Sequence, residues 1–185
     1  MSFSVIMLIV LVLLVLTGII LYNGLVQAKN AVMDAWSNID VALKKRYDLI
    51  PNLVNTVKGY ASHESGTLEK VIAARNAALS VPKGDINGQI AADHTLTASL
   101  RQVFALAENY PDLKANTNFL QLQDSLNEIE HNLENTRRYY NATVRENNNK
   151  VEGFPGVLIA RSMGFHTFDF FETDEQSRQN VTVQF

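Results

Sequence analysis

The sequence contains no cysteine, which excludes disulfide frameworks, Fe–S clusters, Cys-ligated zinc, thiol catalysis and lipidation of an N-terminal Cys. It also lacks the G-x-S-x-G, Walker-type and G-x-G-x-x-G patterns, so the common signatures of serine nucleophiles and phosphate loops are absent. Its 185 residues are close to the ~150 residues of one domain, which leaves no room for a second enzyme-sized domain.

Charge is missing from the first 28 residues, and all 16 basic and 19 acidic side chains follow them. Residues 3–21 are apolar except for one Ser, one Thr and one Gly. At ~1.5 Å per residue this helix would span about 28 Å, close to the roughly 30 Å hydrocarbon core of a bilayer. The sequence predicts a single-pass transmembrane anchor, residues 1–22, with its span ending at Phe3 and Leu21.

A cleaved signal peptide is the competing interpretation, because Val26-Gln27-Ala28 resembles a cleavage site. However, no Lys or Arg precedes the apolar run, and the run exceeds the usual 7–15 residues. We therefore expect an uncleaved anchor. Basic side chains lie only after the span, beginning at Lys29, which favours a short outer N-terminus and a cytoplasmic domain.

An apolar spacing of three to four residues continues from Tyr22 to Tyr60, which predicts that the span and the domain share one helix. Lys29 and Arg46 fall on this apolar seam, and we expect their stems to lie on it while their charges reach water. Pro51 predicts either a kink or a new helix capped by Asp48. The uninterrupted register favours the kink.

Further helices are predicted over residues 67–80, up to about 109, and over 116–152. A loop at 81–85, which can extend through Gly88, separates the first two. A short helix at 157–163 is expected to end at Gly164. The predicted fold class is all-α: a transmembrane helix that continues into a long-helix antiparallel bundle at residues 23–164, with about four helices plus the short C-terminal one.

The last segment, residues 165–185, is predicted to be an extended tail. It is rich in Phe and carries four acids and one base. We expect it either to pack back along the bundle or to dock on another subunit or partner by strand or groove addition.

Several motifs together carry a family resemblance. They are AWSNIDV at 35–41, RYDLIPNLV at 46–54, VKGYASHE at 57–64, ENYPDLKAN at 108–116 and RRYYN at 137–141, followed by Phe154-Pro155, Gly164-Phe165 and the closing VQF. In this order they resemble the LemA family, with Ala42 and Ala142 as departures. The resemblance implies a bacterial membrane protein with a short outer N-terminus and a helical bundle. We expect it in the cytoplasmic (inner) membrane. It implies no activity and no catalytic residues.

Metal binding is not indicated by the histidines. His63-Glu64 would need a second His one helical turn later to form a zinc-protease motif, and that position is Thr67. The four His share no ligand spacing. We therefore expect no metal, no cofactor and no catalytic residues.

The basic cluster at residues 44–46 could bind anionic lipid or nucleic acid, or form a solvated face. On an upright helix Lys44 would lie roughly 33 Å past Tyr22, well beyond the ~8 Å Debye length. Asp40 and Asp48 flank the cluster, and the net charge is −3. A solvated face is favoured, and no nucleic-acid partner is expected.

Seven polar residues lie within otherwise apolar patterns. They predict either a polar network at a partner-binding surface or interhelical bonds that fix the bundle register. The seven are Asp40, Arg46, Asp48, Asn52, Glu64, Glu130 and Arg137.

The leading functional hypothesis is a non-enzymatic, membrane-anchored scaffold that acts through protein contacts and self-assembly. An apolar stripe on the first helix would be exposed unless a second copy covered it. The candidate interaction surface consists of Trp36, Ile39, Leu43, Arg46, Phe168, Phe170, Phe171 and Phe185. The expected partners are the lipid bilayer, a second copy and an unidentified protein, with no small-molecule substrate. Signal relay through a bend at Pro51 is the alternative, and an enzyme is a remote one.

Overall fold

A computed structural model describes residues 3–82 and 84–171. These residues form six helices and no strand: α1 Phe3–Lys58, α2 Ser65–Ser80, α3 Ile86–Ala107, α4 Pro111–Lys114, α5 Thr117–Glu152 and α6 Gly156–Met163. The predicted all-α fold class is thereby confirmed.

Helix α1 runs without a break from the apolar segment through Pro51, so the alternative of a new helix capped by Asp48 is wrong. The helix ends at Lys58, just before Gly59, where the N–H groups of Tyr60 and Ala61 both donate to the Val57 carbonyl. These bonds satisfy a carbonyl at the helix end as the chain turns away.

Two local predictions differ from the structure. Ile86-Asn87-Gly88 does not extend the loop but begins α3, because the Asp85 carboxylate accepts a bond from the Gly88 N–H at 2.9 Å and caps the helix N-terminus. The segment between the helices predicted up to about 109 and over 116–152 contains a one-turn helix that was not predicted, α4, with Pro111 in its first position, where the missing N–H costs nothing.

The chain forms two compact units, and α1 and α5 contribute residues to both. Of the described residues, unit 1 comprises 3–38 and 136–170, and unit 2 comprises 39–82, 84–135 and 171. The boundaries predicted at residues 22 and 164 were drawn where the residue types along the chain change, whereas the two units are defined by how the chain packs. The predicted boundaries therefore stay a prediction.

In unit 1, α1 and α5 run antiparallel. Leu25 shares a buried cluster with Val151 and with Ala160 of α6. The Trp36 and Tyr140 rings then meet edge to face, with centroids 5.6 Å apart. From Leu25 to Trp36 the residue number rises along α1 by as much as it falls along α5, which is the pattern of antiparallel helices.

Unit 2 repeats this antiparallel pairing with other residues. Arg46 of α1 contacts Glu130 of α5, and further along α1 the Tyr60 hydroxyl accepts a bond from the Asn116 amide just before α5. Helices α2 and α3 pack against each other and bury small and aliphatic side chains. These are Leu68, Val71, Ala74 and Ala78 of α2 and Leu96, Leu100, Val103 and Ala107 of α3.

Helix α6 ends as predicted. Gly164 adopts the left-handed conformation, with φ 73°, and its N–H donates to the Ala160 carbonyl, a C-terminal cap that favours glycine. Residues 165–171 have no regular secondary structure. The rest of the predicted extended tail, including Phe185, lies outside the described residues.

Candidate functional site

The predicted span is the one part of α1 that is exposed along its whole length despite being apolar. Between Phe3 and Ile20 every residue except Gly18 is exposed. Among the described residues, α1 is the one helix long and apolar enough to cross a membrane. This indicates membrane anchoring at the N-terminal end of α1.

The proposed apolar stripe on α1 is buried within the chain. Trp36 is 9% exposed, and Ile39 and Leu43 are fully buried. The argument that a second copy must cover this stripe therefore does not apply. Whether these side chains contact a partner stays untested, and the structure assigns them to the interior.

Arg46 does not send its charge to water as the sequence had suggested, and that expectation is wrong. Its side chain is only 5% exposed, and Nη1 lies 2.8 Å from Asp93 Oδ1 and 3.2 Å from Glu130 Oε2. Asp93 is 2% exposed, whereas Glu130 is 41% exposed. One guanidinium thus joins α1, α3 and α5 of unit 2, which favours the register-fixing interpretation of the polar network.

Tyr47 extends this cluster to a fourth helix. The Gln89 amide of α3 donates to the Tyr47 hydroxyl at 2.7 Å, and Arg75 Nε of α2 donates to the Tyr47 carbonyl at 2.8 Å. We name Arg46, Tyr47, Asp93 and Glu130 the polar node. Because its charged groups are paired and mostly closed to solvent, the polar node serves better as a structural clasp than as a binding site.

The tyrosine hydroxyls in the two units predict an alkaline limit to stability. Burial, with the charge of Asp93 next, raises the pKa of Tyr47 from 10.0 to about 12, and burial raises the pKa of Tyr140 to about 12 as well. Between pH 10 and 12 the unfolded chain has released protons that the folded chain keeps, so the free energy of unfolding falls as pH rises. Below pH 10 this contribution is fully present.

Denaturant unfolding measured from neutral pH to pH 12, together with tyrosinate absorbance, checks this expectation. Tyr47→Phe and Tyr140→Phe should each flatten the alkaline decline, since Phe has no proton to lose. The exposed neighbour Tyr139→Phe controls for loss of one tyrosine. A decline that is unchanged in both buried variants would contradict the assignment.

The first part of the tail is held against α5 by two asparagines. The Asn148 amide donates to the Phe168 carbonyl, and its Oδ1 accepts from the Phe168 N–H, both at 2.9 Å. Asn147 Nδ2 donates to the His166 carbonyl at 3.2 Å, and the Tyr140 hydroxyl donates to the Asp169 carbonyl at 3.0 Å. Residues 166–169 therefore pack back along the bundle, one of the two expected placements.

This placement leaves the tail aromatics in different environments. Phe168 is half-buried, Phe170 is 42% exposed and Phe171 is 3% exposed. The Phe171 ring lies 6.4 Å from the His94 ring within unit 2. Of the predicted interaction residues that the structure describes, Phe170 is the most available to a partner.

Asn148→Ala is expected to release the tail from α5. Hydrogen exchange of the Phe168 amide should rise about tenfold, equivalent to roughly 1.4 kcal/mol, because its acceptor is gone. Asn148→Asp keeps the acceptor but loses the donor, and should give an intermediate rate. The exposed neighbour Asn149→Ala is the matched control. Equal exchange rates in Asn148→Ala and the control would contradict the hydrogen bonds between Asn148 and Phe168.

Three open grooves on the described surface offer little acid–base chemistry. One in unit 2, of about 370 Å³, is lined by Asn, Thr, Gln, Leu and Ser side chains. Two in unit 1 are mainly apolar, with Lys150 as their one charged lining residue. Over residues 3–82 and 84–171 no three His, Asp or Glu side chains are placed to hold a metal ion.

Comparison with known proteins gives one family and several relatives. The sequence model of the LemA family matches residues 35–185. Protein LemA of Metamycoplasma hominis is 27% identical over 86% of this chain and 72% of its own length. Magnetosome protein MamQ 2 of Paramagnetospirillum magneticum is 23% identical over 82% of this chain and 64% of its own. Magnetosome protein MamQ of Magnetospirillum gryphiswaldense is 21% identical, with 87% and 68% covered.

Proposed function

This chain belongs to the LemA family, and we propose that it is a membrane-anchored helical scaffold that acts through protein–protein contacts and self-assembly. The observation that carries the proposal is the character of α1. Its first part is apolar and exposed, whereas from Leu25 onward the same unbroken helix buries one face in folded structure. A helix of this kind supports a folded domain held at a bilayer by its own continuation.

Retention of the N-terminal segment is part of the proposal. Cleavage after Ala28 would remove Leu25, which is 1% exposed in the unit 1 cluster, and Tyr22, whose ring packs edge to face on Phe165 at 5.7 Å. A cleaved signal peptide is absent from the mature protein and does not form part of its core, so this packing supports an uncleaved anchor. The finer localisation that we propose is a bacterial inner membrane with the domain in the cytoplasm.

A role without catalysis is supported by the chemistry of the polar node. The side chains of Arg46 and Asp93 are almost fully buried and form an ion pair with each other. An active site needs titratable groups that converge on an accessible concavity, and the grooves described above lack such groups. We therefore propose no substrate, cofactor or nucleic acid for this chain.

Photo-crosslinking in native membranes tests the scaffold proposal. A benzophenone amino acid at Phe170 is expected to capture a second copy or another protein, because this tail aromatic is partly exposed. The same probe at exposed Leu79 of α2 is the matched control. Adducts at position 170 with few at position 79 support the proposal. Absence of adducts at position 170, with a strictly monomeric protein in mild detergent, would contradict it.

Signal relay is the second candidate, favoured by the continuity of α1 through an exposed Pro51. Pro51→Ala restores a backbone donor and removes a ring that clashes inside a helix, so it should not lower stability. If a bend at this position carries a signal, the variant expressed at a normal level should fail to restore the wild-type response in cells from which the gene has been deleted. A wild-type response restored by the variant at normal expression counts against relay.

A further inference from the structure

Three apolar side chains around α6 are unusually exposed. Phe154, in the loop before the helix, is 83% exposed, Leu158 is 64% exposed and Met163 is 63% exposed. We name these three residues the apolar collar. All three residues belong to α6 or to the loop before it, and the position of α6 relative to the span indicates what they contact.

The end of α6 lies beside the membrane span. A groove of about 560 Å³ is lined on one side by Val15, Gly18, Ile19 and Tyr22 of α1, and on the other by Ile159, Ser162 and Met163 of α6. Val15 precedes the end of the span at Leu21 by about 9 Å along the helix. Met163 therefore lies across a groove from the last turns of the predicted span and from Tyr22, which follows it.

The start of α6 occupies a similar level. A second groove, of about 380 Å³, lies between Ile20, Leu21 and Gly24 of α1 and the segment that contains Phe154 and Pro155. Gly24 has open space where a side chain would stand. Both grooves are thus bounded by the last turns of the span, and both are mainly apolar.

The Ser162 and Thr17 hydroxyls in this region are hydrogen-bonded to backbone carbonyls, as a lipid environment requires. The Ser162 hydroxyl lies 3.0 Å from the Ile159 carbonyl and 3.3 Å from that of Leu158. Within the span, the Thr17 hydroxyl donates to the Leu13 carbonyl at 2.8 Å. The Tyr22–Phe165 ring pair stands where aromatic side chains concentrate at membrane–water boundaries.

We propose that the apolar collar inserts into the bilayer leaflet next to the domain, so that lipid acyl chains occupy the two grooves beside α6. The inference rests on the anchoring part of the proposed function and adds a second, shallow contact to it. Interfacial helices bury their apolar face about 5–10 Å into the headgroup and acyl boundary, which matches the level of Met163 beside Val15–Leu21. The exposed Arg161 of the same helix can extend to the headgroups.

The absence of native cysteine allows a direct depth measurement. Single-cysteine variants Leu158→Cys and Met163→Cys of the full chain are labelled with an environment-sensitive fluorophore and reconstituted into phosphatidylcholine vesicles. A nitroxide is placed on the lipid acyl chain either near the carbonyl or near the terminal methyl. Leu11→Cys reports the middle of the span, and Met33→Cys, 45% exposed on α1 and about 18 Å past Leu21, is the control outside it.

The expected loss of fluorescence at positions 158 and 163 is at least half of the loss at position 11. At 158 and 163 the loss should be greater with the nitroxide near the carbonyl than with the one near the terminal methyl. No loss is expected at position 33. Quenching at 11 but not at 158 and 163 would overturn the collar and leave the anchor intact. No quenching at 11 would overturn both. Disulfide-linked dimers at 158 or 163 without quenching would assign the grooves to a second copy and overturn the lipid proposal, as would equal quenching at 33.

Discussion

Arg46→Met is expected to lower the free energy of unfolding by about 3–5 kcal/mol, the usual cost of removing one partner from a buried ion pair. The substitution keeps much of the side-chain volume but leaves the Asp93 carboxylate, 2% exposed, without the guanidinium charge. Glu130, close to the same site, then adds repulsion between like charges. Chemical denaturation followed by circular dichroism measures the loss.

The adjacent Lys45→Met is the matched control, since Lys45 is exposed and its replacement should change stability by less than about 0.5 kcal/mol. The double variant Arg46→Met/Asp93→Leu should recover a large part of the loss, because both charges leave the interior together. If Arg46→Met were no more destabilising than Lys45→Met, the buried pair between Arg46 and Asp93 would be refuted.

Trp36→Ala is expected to cost about 3–5 kcal/mol, the range for truncating a large buried aromatic side chain. Trp36 is 9% exposed, and its replacement removes the edge-to-face contact with Tyr140. Met33→Ala, about one turn earlier and 45% exposed, should have little effect and serves as the control. Unfolding of the purified chain gives the comparison.

This variant also separates the two roles considered for Trp36. As an interior residue, its loss should lower the unfolding free energy of the monomer. As a contact residue for a second copy, its loss should reduce crosslinking between copies while the stability of the monomer stays the same. The second pattern would contradict the placement of Trp36 in unit 1.

The apolar spacing of residues 22–60 predicted the unbroken course of α1, because a long helix with one continuous apolar face buries that face in the interior. Polar exceptions were harder. Arg46 lies on the seam, and from sequence alone a long cation there indicates a charge that reaches water. The carboxylate that instead holds it, Asp93, is on another helix, and no local pattern connects the two.

Short-range competition explains the other differences. Ile86-Asn87-Gly88 has the composition of a loop, but the capping bond from Gly88 to Asp85 favours a helix start. The contact between residues 166–169 and α5 depends on Asn147 and Asn148, which lie in a polar run at the end of α5. Nothing in the sequence of that run indicates which residues these two side chains bind. The apolar collar was beyond prediction for a similar reason, since residues 157–163 specify a short helix and nothing in them specifies a place beside the span.

The central claim is that α1 is one uncleaved helix that anchors the chain while it completes unit 1. Mass spectrometry of the protein extracted from washed native membranes tests this most directly. We predict a chain that retains the apolar N-terminal segment, close to 20.7 kDa, and that resists extraction at alkaline pH. A mature chain that begins at Lys29 and is found in the soluble fraction would contradict the account.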